Sequence, residues 1–367
     1  MNQICLIHVM VRTKNSAEDT TTQEEAPCWS AHPPTWMLFS LSGLVWGASF
    51  LFIKIGLGGM DPAQVVLARL GLGALALVLV AALTHTPRIT DVRLIGHLVV
   101  AGFFWAGLPL LLFAWAGQYL PSGISAIFNA TTPLMTLLIT ALVLPDERLG
   151  ADRVTGVVIG AGGIVLVAAP WRLLGGSADF AQLAPAYLAC LAATTCYAIA
   201  FTYIRRFVRP AGHGSLAVTT TQIVAAFVVM LLLSPLTGAW TRPVSLSVPI
   251  VVSLVLLGVF GTGLAYVWNM RTIETWGPVR ASMVTYVTPI VGVGLGMVVL
   301  GESLTWNEPV GMLVTFVGIA LAQGILAGAH GVQEGRLRVG AEEVADVLSP
   351  VPCPDGVNGP GSPLRCR

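Results

Sequence analysis

Residues 125–149 read SAIFNATTPLMTLLITALVLPDERL, and residues 281–304 read ASMVTYVTPIVGVGLGMVVLGESL. Each stretch carries an apolar run near the roughly 20 residues a helix needs to cross a hydrocarbon core. Each has one proline inside the run, Pro133 and Pro289, and one glutamate in the polar loop that follows, Glu147 and Glu302. Lipid offers no partner for an unpaired backbone N–H or C=O, so runs of this kind are helical. Two of them with the same landmarks in the same order point to an internal repeat.

The match extends outward in both directions. After Glu147 the next run carries Gly156 and Gly163, and after Glu302 it carries Gly311 and Gly318, all at an offset of 155. Upstream, Trp46, Gly47, Phe50 and Lys54 align with Tyr197, Ala198, Phe201 and Arg205 at an offset of 151. Chance supplies one such match more readily than three in order.

Ten apolar runs lie between two polar tails, near 36–56, 62–84, 94–117, 122–144, 154–170, 183–204, 215–234, 248–269, 280–300 and 309–328. The predicted fold is an all-α integral membrane protein of ten transmembrane helices. A first five-helix repeat covers 36–170 and a second covers 183–328. Five is odd, so the second repeat enters the membrane upside down relative to the first. Residues 1–35 and 329–367 are expected to be disordered tails, because they lack an apolar face to bury.

Composition supports a lipid-facing surface. Of 367 residues, 55% are hydrophobic and only 10% charged, whereas soluble domains carry about 25% charged residues. All 18 acids lie outside the runs or at their ends, and only Lys54 and Arg69 among the 19 basic residues lie well within. A net charge of +1 leaves no basic excess for nucleic acid. The six cysteines form no CxxC pair and have no histidine at zinc spacing. No phosphate-binding glycine loop is present, so no metal, cofactor or ATP-driven chemistry is predicted. The implied partners are the lipid bilayer and a small-molecule substrate.

Arginine counts give the orientation. With the N-terminus inside, the short inner loops hold Arg88, Arg93, Arg148, Arg153, Arg205, Arg206, Arg209, Arg271 and Arg280, and the outer loops only Arg172 and Arg242. Nine against two predicts both termini cytoplasmic in the plasma (inner) membrane.

Inverted repeats are the architecture of many secondary transporters, with the substrate site at the repeat interface near the midplane. The residues carry a resemblance as well. Trp46-Gly47-x-Ser49-Phe50-x-x-x-Lys54, Arg69, and the Pro-x13-Glu and Pro-x12-Glu segments resemble the ten-helix EamA-type branch of the drug/metabolite transporter superfamily. That resemblance covers roughly residues 36–328. It implies a carrier with cytoplasmic termini that exports small metabolites, amino acids or amphipathic drugs. The alternatives are a sugar or nucleotide-sugar carrier, which would want a more polar cavity, and a membrane-embedded enzyme or a channel. No clustered catalytic acids or histidines favour the enzyme, and no ring of charge favours the channel.

Candidate substrate-binding residues are the polar and aromatic side chains within the runs. They are Trp46, Lys54, Arg69, Trp105, Asn129, Tyr197, Tyr266, Asn269, Thr285 and Tyr286. Lys54 near a helix end either snorkels to the interface or faces the cavity. Arg69 lies seven residues past Pro62, about 10 Å along the helix, and takes either a structural partner or an anion. Pro133 and Pro289 are expected to act as equivalent hinges that leave the carbonyls of Asn129 and Thr285 unpaired. Glu147 and Glu302 read as carboxylates favouring the N-terminus of the helix that follows each.

Overall fold

Proline and aspartate set where the second helix begins. Pro62 opens it, Asp61 accepts from the Ala63 N–H, and Gln64 reaches back to the Asp61 N–H, which completes a capping box. Similar local signals and long apolar runs yield ten apolar helices among the described residues of the computed structural model. It describes residues 34–143, 150–173, 179–208, 211–276 and 283–324. These helices are α1 (Thr35–Gly56), α2 (Pro62–Leu83), α3 (Val92–Ala116), α4 (Ser122–Val143), α5 (Ala151–Ala168), α6 (Gln182–Val208), α7 (Ser215–Thr237), α8 (Val248–Asn269), α9 (Val284–Leu300) and α10 (Asn307–Ala322). The first eight are long and apolar enough to span a bilayer, and α9 and α10 are shorter apolar helices. The expected all-helical membrane fold is therefore observed. Among the described residues there is no strand. Residues 1–33, Glu147 and all of the tail from 329 onward lie outside the described residues.

The packing has the symmetry of the repeat. α1 packs on α9 as α4 packs on α6, α2 on α8 as α3 on α7, and α1 on α8 as α3 on α6. Exchanging each helix for its counterpart five places on converts one member of every pair into the other. The remaining main contacts, α2–α7, α4–α9 and α5–α10, join counterparts directly.

α5 and α10 touch almost backbone to backbone. A Cβ at Gly163 would lie 2.7 Å from the Gly311 carbonyl oxygen, and one at Gly318 would lie 2.7 Å from that of Gly156. Only glycine permits this approach, as in small-residue interfaces generally. Asn307 fastens the pair by donating its Nδ2 to the carbonyls of Leu166 and Val167 at 3.1 and 3.2 Å.

Three helices depart from α geometry through π turns, α6 over Ile204–Val208 and two others at related places. α3 turns as a π-helix over Phe103–Gly107, and α8 does so over Leu256–Leu264. At the repeat offset of 155 the first coincides with residues 258–262, inside the second. Such wide turns are rare and concentrate at functional sites. Both stand beside the central cavity.

The fourth and ninth helices differ. α4 is interrupted at Ala130–Thr131, between helical segments Ser122–Asn129 and Thr132–Val143. Pro133 is thus the second residue of a new segment, where a missing N–H costs little. Pro289 lies inside the unbroken helix Val284–Leu300. The expectation of two equivalent hinges is corrected on this point.

Candidate functional site

A cavity of about 390 Å³ occupies the middle of the bundle, at the junction of the two halves. α1, α2, α3 and α4 of the first half and α6, α8 and α9 of the second line it. Its walls are built chiefly from rings. Trp46 meets Tyr266 edge-on at 5.6 Å between centroids, Tyr266 meets Trp105 at 5.8 Å, and Trp105 meets Phe201 at 4.7 Å. The chain continues from Trp105 to Tyr197 at 5.7 Å, from Tyr197 to Phe113 at 6.2 Å, and from Phe113 to Phe50 at 5.4 Å. These contacts, edge-to-face except for the stacked Tyr197–Phe113 pair, fix ring orientation as well as filling space.

The π turn of α8 anchors two of the lining side chains. Trp46 donates its indole N–H to the Gly261 carbonyl at 3.0 Å. The neighbouring Thr262 hydroxyl accepts from Arg69 Nε at 2.9 Å. Arg69 is only 7% exposed and lines the cavity, within electrostatic reach of Tyr197 and Tyr266. Its helix lies close to the same turn, because a Cβ at Gly258 would stand 3.0 Å from the Arg69 carbonyl oxygen. Arg69 thus has a structural partner at Nε and is also part of the cavity lining.

Eight of the ten candidate residues line this space: Trp46, Arg69, Trp105, Asn129, Tyr197, Tyr266, Asn269 and Thr285. Lys54 and Tyr286 do not, and both are corrected here. Lys54 Nζ donates to the carbonyls of Gly117 at 2.7 Å and Leu120 at 2.9 Å, so it closes the C-terminal end of α3. Tyr286 points away from the centre, edge-on to Phe316, with its hydroxyl 3.2 Å from Gln323 Oε1.

The expectation of a bare carbonyl is corrected at Asn129. The Asn129 carbonyl accepts the Thr132 hydroxyl at 2.7 Å, which replaces the N–H that Pro133 lacks. Thr285 has a partner of its own, and Thr288 donates to the Val284 carbonyl at 3.1 Å. In α4 the threonine before the proline thus repairs the ladder, as hydroxyl side chains do in membrane helices, whereas in α9 the Thr288 hydroxyl bonds the carbonyl one residue before the one that Pro289 frees.

Glu302 acts on a different helix from the one expected. It accepts from the Ser122 N–H at 2.7 Å, the Ser122 hydroxyl at 2.9 Å and the Gly123 N–H at 3.3 Å, and so caps α4. The start of α10 is served instead by Glu308, which accepts from the Thr305 N–H. Lys54 and Glu302 together hold both sides of the α3–α4 turn. The cation takes its free carbonyls and the carboxylate its free N–H groups, each matching the sign of the helix end it meets. This clamp ties the α3–α4 turn to the ends of α1 and α9 at one end of the bundle. The lining residues Tyr266, Asn269, Thr285 and Thr288 lie toward the opposite end, where α8 finishes and α9 begins.

Sequence reasoning missed Ser49, Phe50, Thr132, Phe201, Thr262 and Thr288. Phe50 and Phe201 stood in the repeat alignment itself, and their facing positions on α1 and α6 were a usable signal. Thr262 had none, since its role comes from Arg69, 193 residues away.

With this geometry in place, the comparisons with known proteins are informative. A model of the EamA-like transporter family matches residues 34–169 and again 184–323. An uncharacterized inner membrane transporter of Escherichia coli (strain K12), YedA, is 28% identical over 292 residues, covering 77% of this chain and 88% of its own. A probable amino-acid metabolite efflux pump of Salmonella typhimurium is 24% identical over 285 residues, covering 75% and 90%. A solved crystal structure aligns with a TM-score of 0.55 at 20% identity, over 78% of this chain and 97% of that one, which shows a shared fold.

Proposed function

The chain belongs to the EamA-like transporter family, and from that premise we propose that this membrane transporter is a secondary carrier exporting a small metabolite by alternating access. Its substrates would be amino acids or compact amphipathic compounds, moved across the plasma (inner) membrane with both termini cytoplasmic. The observation that carries the reading is the cavity between the two halves. Repeat-equivalent residues line it from both sides, Trp46 with Tyr197 and Phe50 with Phe201. A site shared by two inverted halves is reached from either face when the halves exchange packing arrangements.

The Lys54–Glu302 clamp supports the same reading, because it closes one end while the lining extends toward the other. With the arginine-based orientation, the closed end is the outer one. The aromatic lining argues against a sugar or nucleotide-sugar carrier, whose ligands need dense polar contacts. The size of the cavity falls at the low end of the roughly 300–1,000 Å³ typical of small-molecule sites. A relative named as a probable amino-acid metabolite efflux pump and another named as an inner membrane transporter agree with the direction and location proposed.

Proteoliposomes provide the test. Reconstituted protein should release preloaded amino acids or amphipathic metabolites faster than empty liposomes, with saturation and with counterflow. Absence of counterflow across a broad panel, with or without a pH gradient, would argue against a carrier.

A further inference from the structure

We infer that the cavity selects a small organic monoanion, its carboxylate held by the Arg69 guanidinium and its apolar body lying among the rings. This rests on the carrier reading and gives it a substrate class.

Arginine stays protonated in proteins. Arg69 is 7% exposed, and its one hydrogen bond among the described residues runs from Nε to Thr262. The Nη1 and Nη2 groups remain, and they form the edge of the fork that grips a carboxylate with two parallel hydrogen bonds. Among the described residues no aspartate or glutamate lines the cavity. The acids nearest in role are engaged elsewhere: Glu302 on Ser122 and Gly123, Asp61 on Arg242, and Glu308 on Thr305. The protein therefore leaves a buried positive charge in the bundle centre for something else to neutralise, and an unpaired charge there is costly.

Ligand charge then sets the order of preference. A monoanion brings the site to neutrality, a zwitterion leaves it at one positive charge, and an amine raises it to two. Ring faces attract an ammonium, but that attraction competes with repulsion from Arg69 in the same low-dielectric space. The walls combine aromatic surface with a few neutral polar groups, among them Asn129, Asn269, Tyr197 and Tyr266. The Trp46 N–H is spent on Gly261 and the Thr132 hydroxyl on Asn129. None of these neutral groups cancels the charge of Arg69.

Three compounds with one phenyl body separate the cases: 3-phenylpropionate, phenylalanine and phenethylamine. Binding to purified full-length protein in nanodiscs is read by tryptophan fluorescence. 3-Phenylpropionate is expected to bind at least about tenfold more tightly than phenethylamine, with phenylalanine between them. Arg69→Gln should abolish the order and Arg69→Lys should preserve it. Asn269→Asp leaves Arg69 untouched and adds an acid to the lining, so phenethylamine should gain about tenfold.

Phenethylamine binding as tightly as 3-phenylpropionate would overturn the proposal. So would phenylalanine binding most tightly, failure of all three to bind, or an unchanged order in a folded Arg69→Gln protein. If Arg69→Gln does not fold, the Asn269→Asp result decides. The same compounds in proteoliposomes keep the two readings apart. Binding of 3-phenylpropionate without translocation would leave the anion site standing and sink the carrier. Equal translocation of all three would leave the carrier standing and sink the anion site.

Discussion

The two halves of this protein share a scaffold and differ in charge. The main helix contacts between the halves are exchanged by the repeat, and the π turns of α3 and α8 fall at related positions. Arg69 has no such counterpart. The offset of 151 that aligns Trp46 with Tyr197 places Thr220 at its position on α7. The scaffold is therefore symmetric, as exchange between two access states requires, while the electrostatics of the cavity are one-sided. Alternation and selectivity are carried by different residues, and mutations can separate them.

The largest expected effect tests the symmetric part. Gly163→Leu and its repeat counterpart Gly318→Leu each drive a side chain into the backbone of the facing helix. Overpacking of a close interface costs about 1–3 kcal/mol or more, so both variants should lose most of their folded, monodisperse yield in detergent. Gly162→Leu is the control, because nothing stands within 4 Å of its Cβ position. If Gly163→Leu purifies as well as Gly162→Leu, the α5–α10 contact is not as described.

The clamp comes next. Lys54→Met leaves the Gly117 and Leu120 carbonyls without their cation, and Glu302→Gln weakens the cap on α4. Each should free the closed end by about 1–2 kcal/mol, a roughly 5- to 30-fold shift in the balance of access states. A single cysteine at Ser49, labelled from either face of the membrane, reports the shift. Labelling identical to that of the parent protein in both variants would remove the clamp from the mechanism.

The prolines sharpen the comparison where the halves diverge. Pro133→Ala changes a residue at the start of a helical segment and should leave turnover nearly unchanged. Pro289→Ala restores a donor inside a continuous helix and stiffens it, so turnover should fall several-fold with little change in substrate affinity. Equal effects in transport assays would restore the idea of paired hinges.

The smallest effects concern the paired aromatic residues. Trp46→Phe strands the Gly261 carbonyl, at about 1 kcal/mol, and should weaken substrate binding roughly fivefold. Tyr197→Phe keeps the ring contacts with Trp105 and Phe113 and should change affinity less than about twofold. A reversal of that order, measured by binding titration, would show that the tyrosine hydroxyl holds the ligand and the Trp46–Gly261 bond does not matter.

Ten apolar runs, a repeat offset and the placement of charges at run ends were enough to determine the membrane fold, because lipid admits only helices and closed barrels, and runs of about 20 apolar residues suit helices. The same logic located most of the cavity, since polar and aromatic residues inside such runs have few places to face. Partner choice was beyond its reach. Lys54 and Arg69 look alike in sequence, two cations within apolar runs, yet one caps the end of α3 and the other enters the cavity. Glu302 looks like a helper of the helix that follows it, yet it caps α4, 180 residues earlier in the chain. These assignments depend on which helix ends meet in space. A side chain of several rotatable bonds takes whichever orphaned backbone group lies within hydrogen-bonding reach, so only the tertiary packing decides its role.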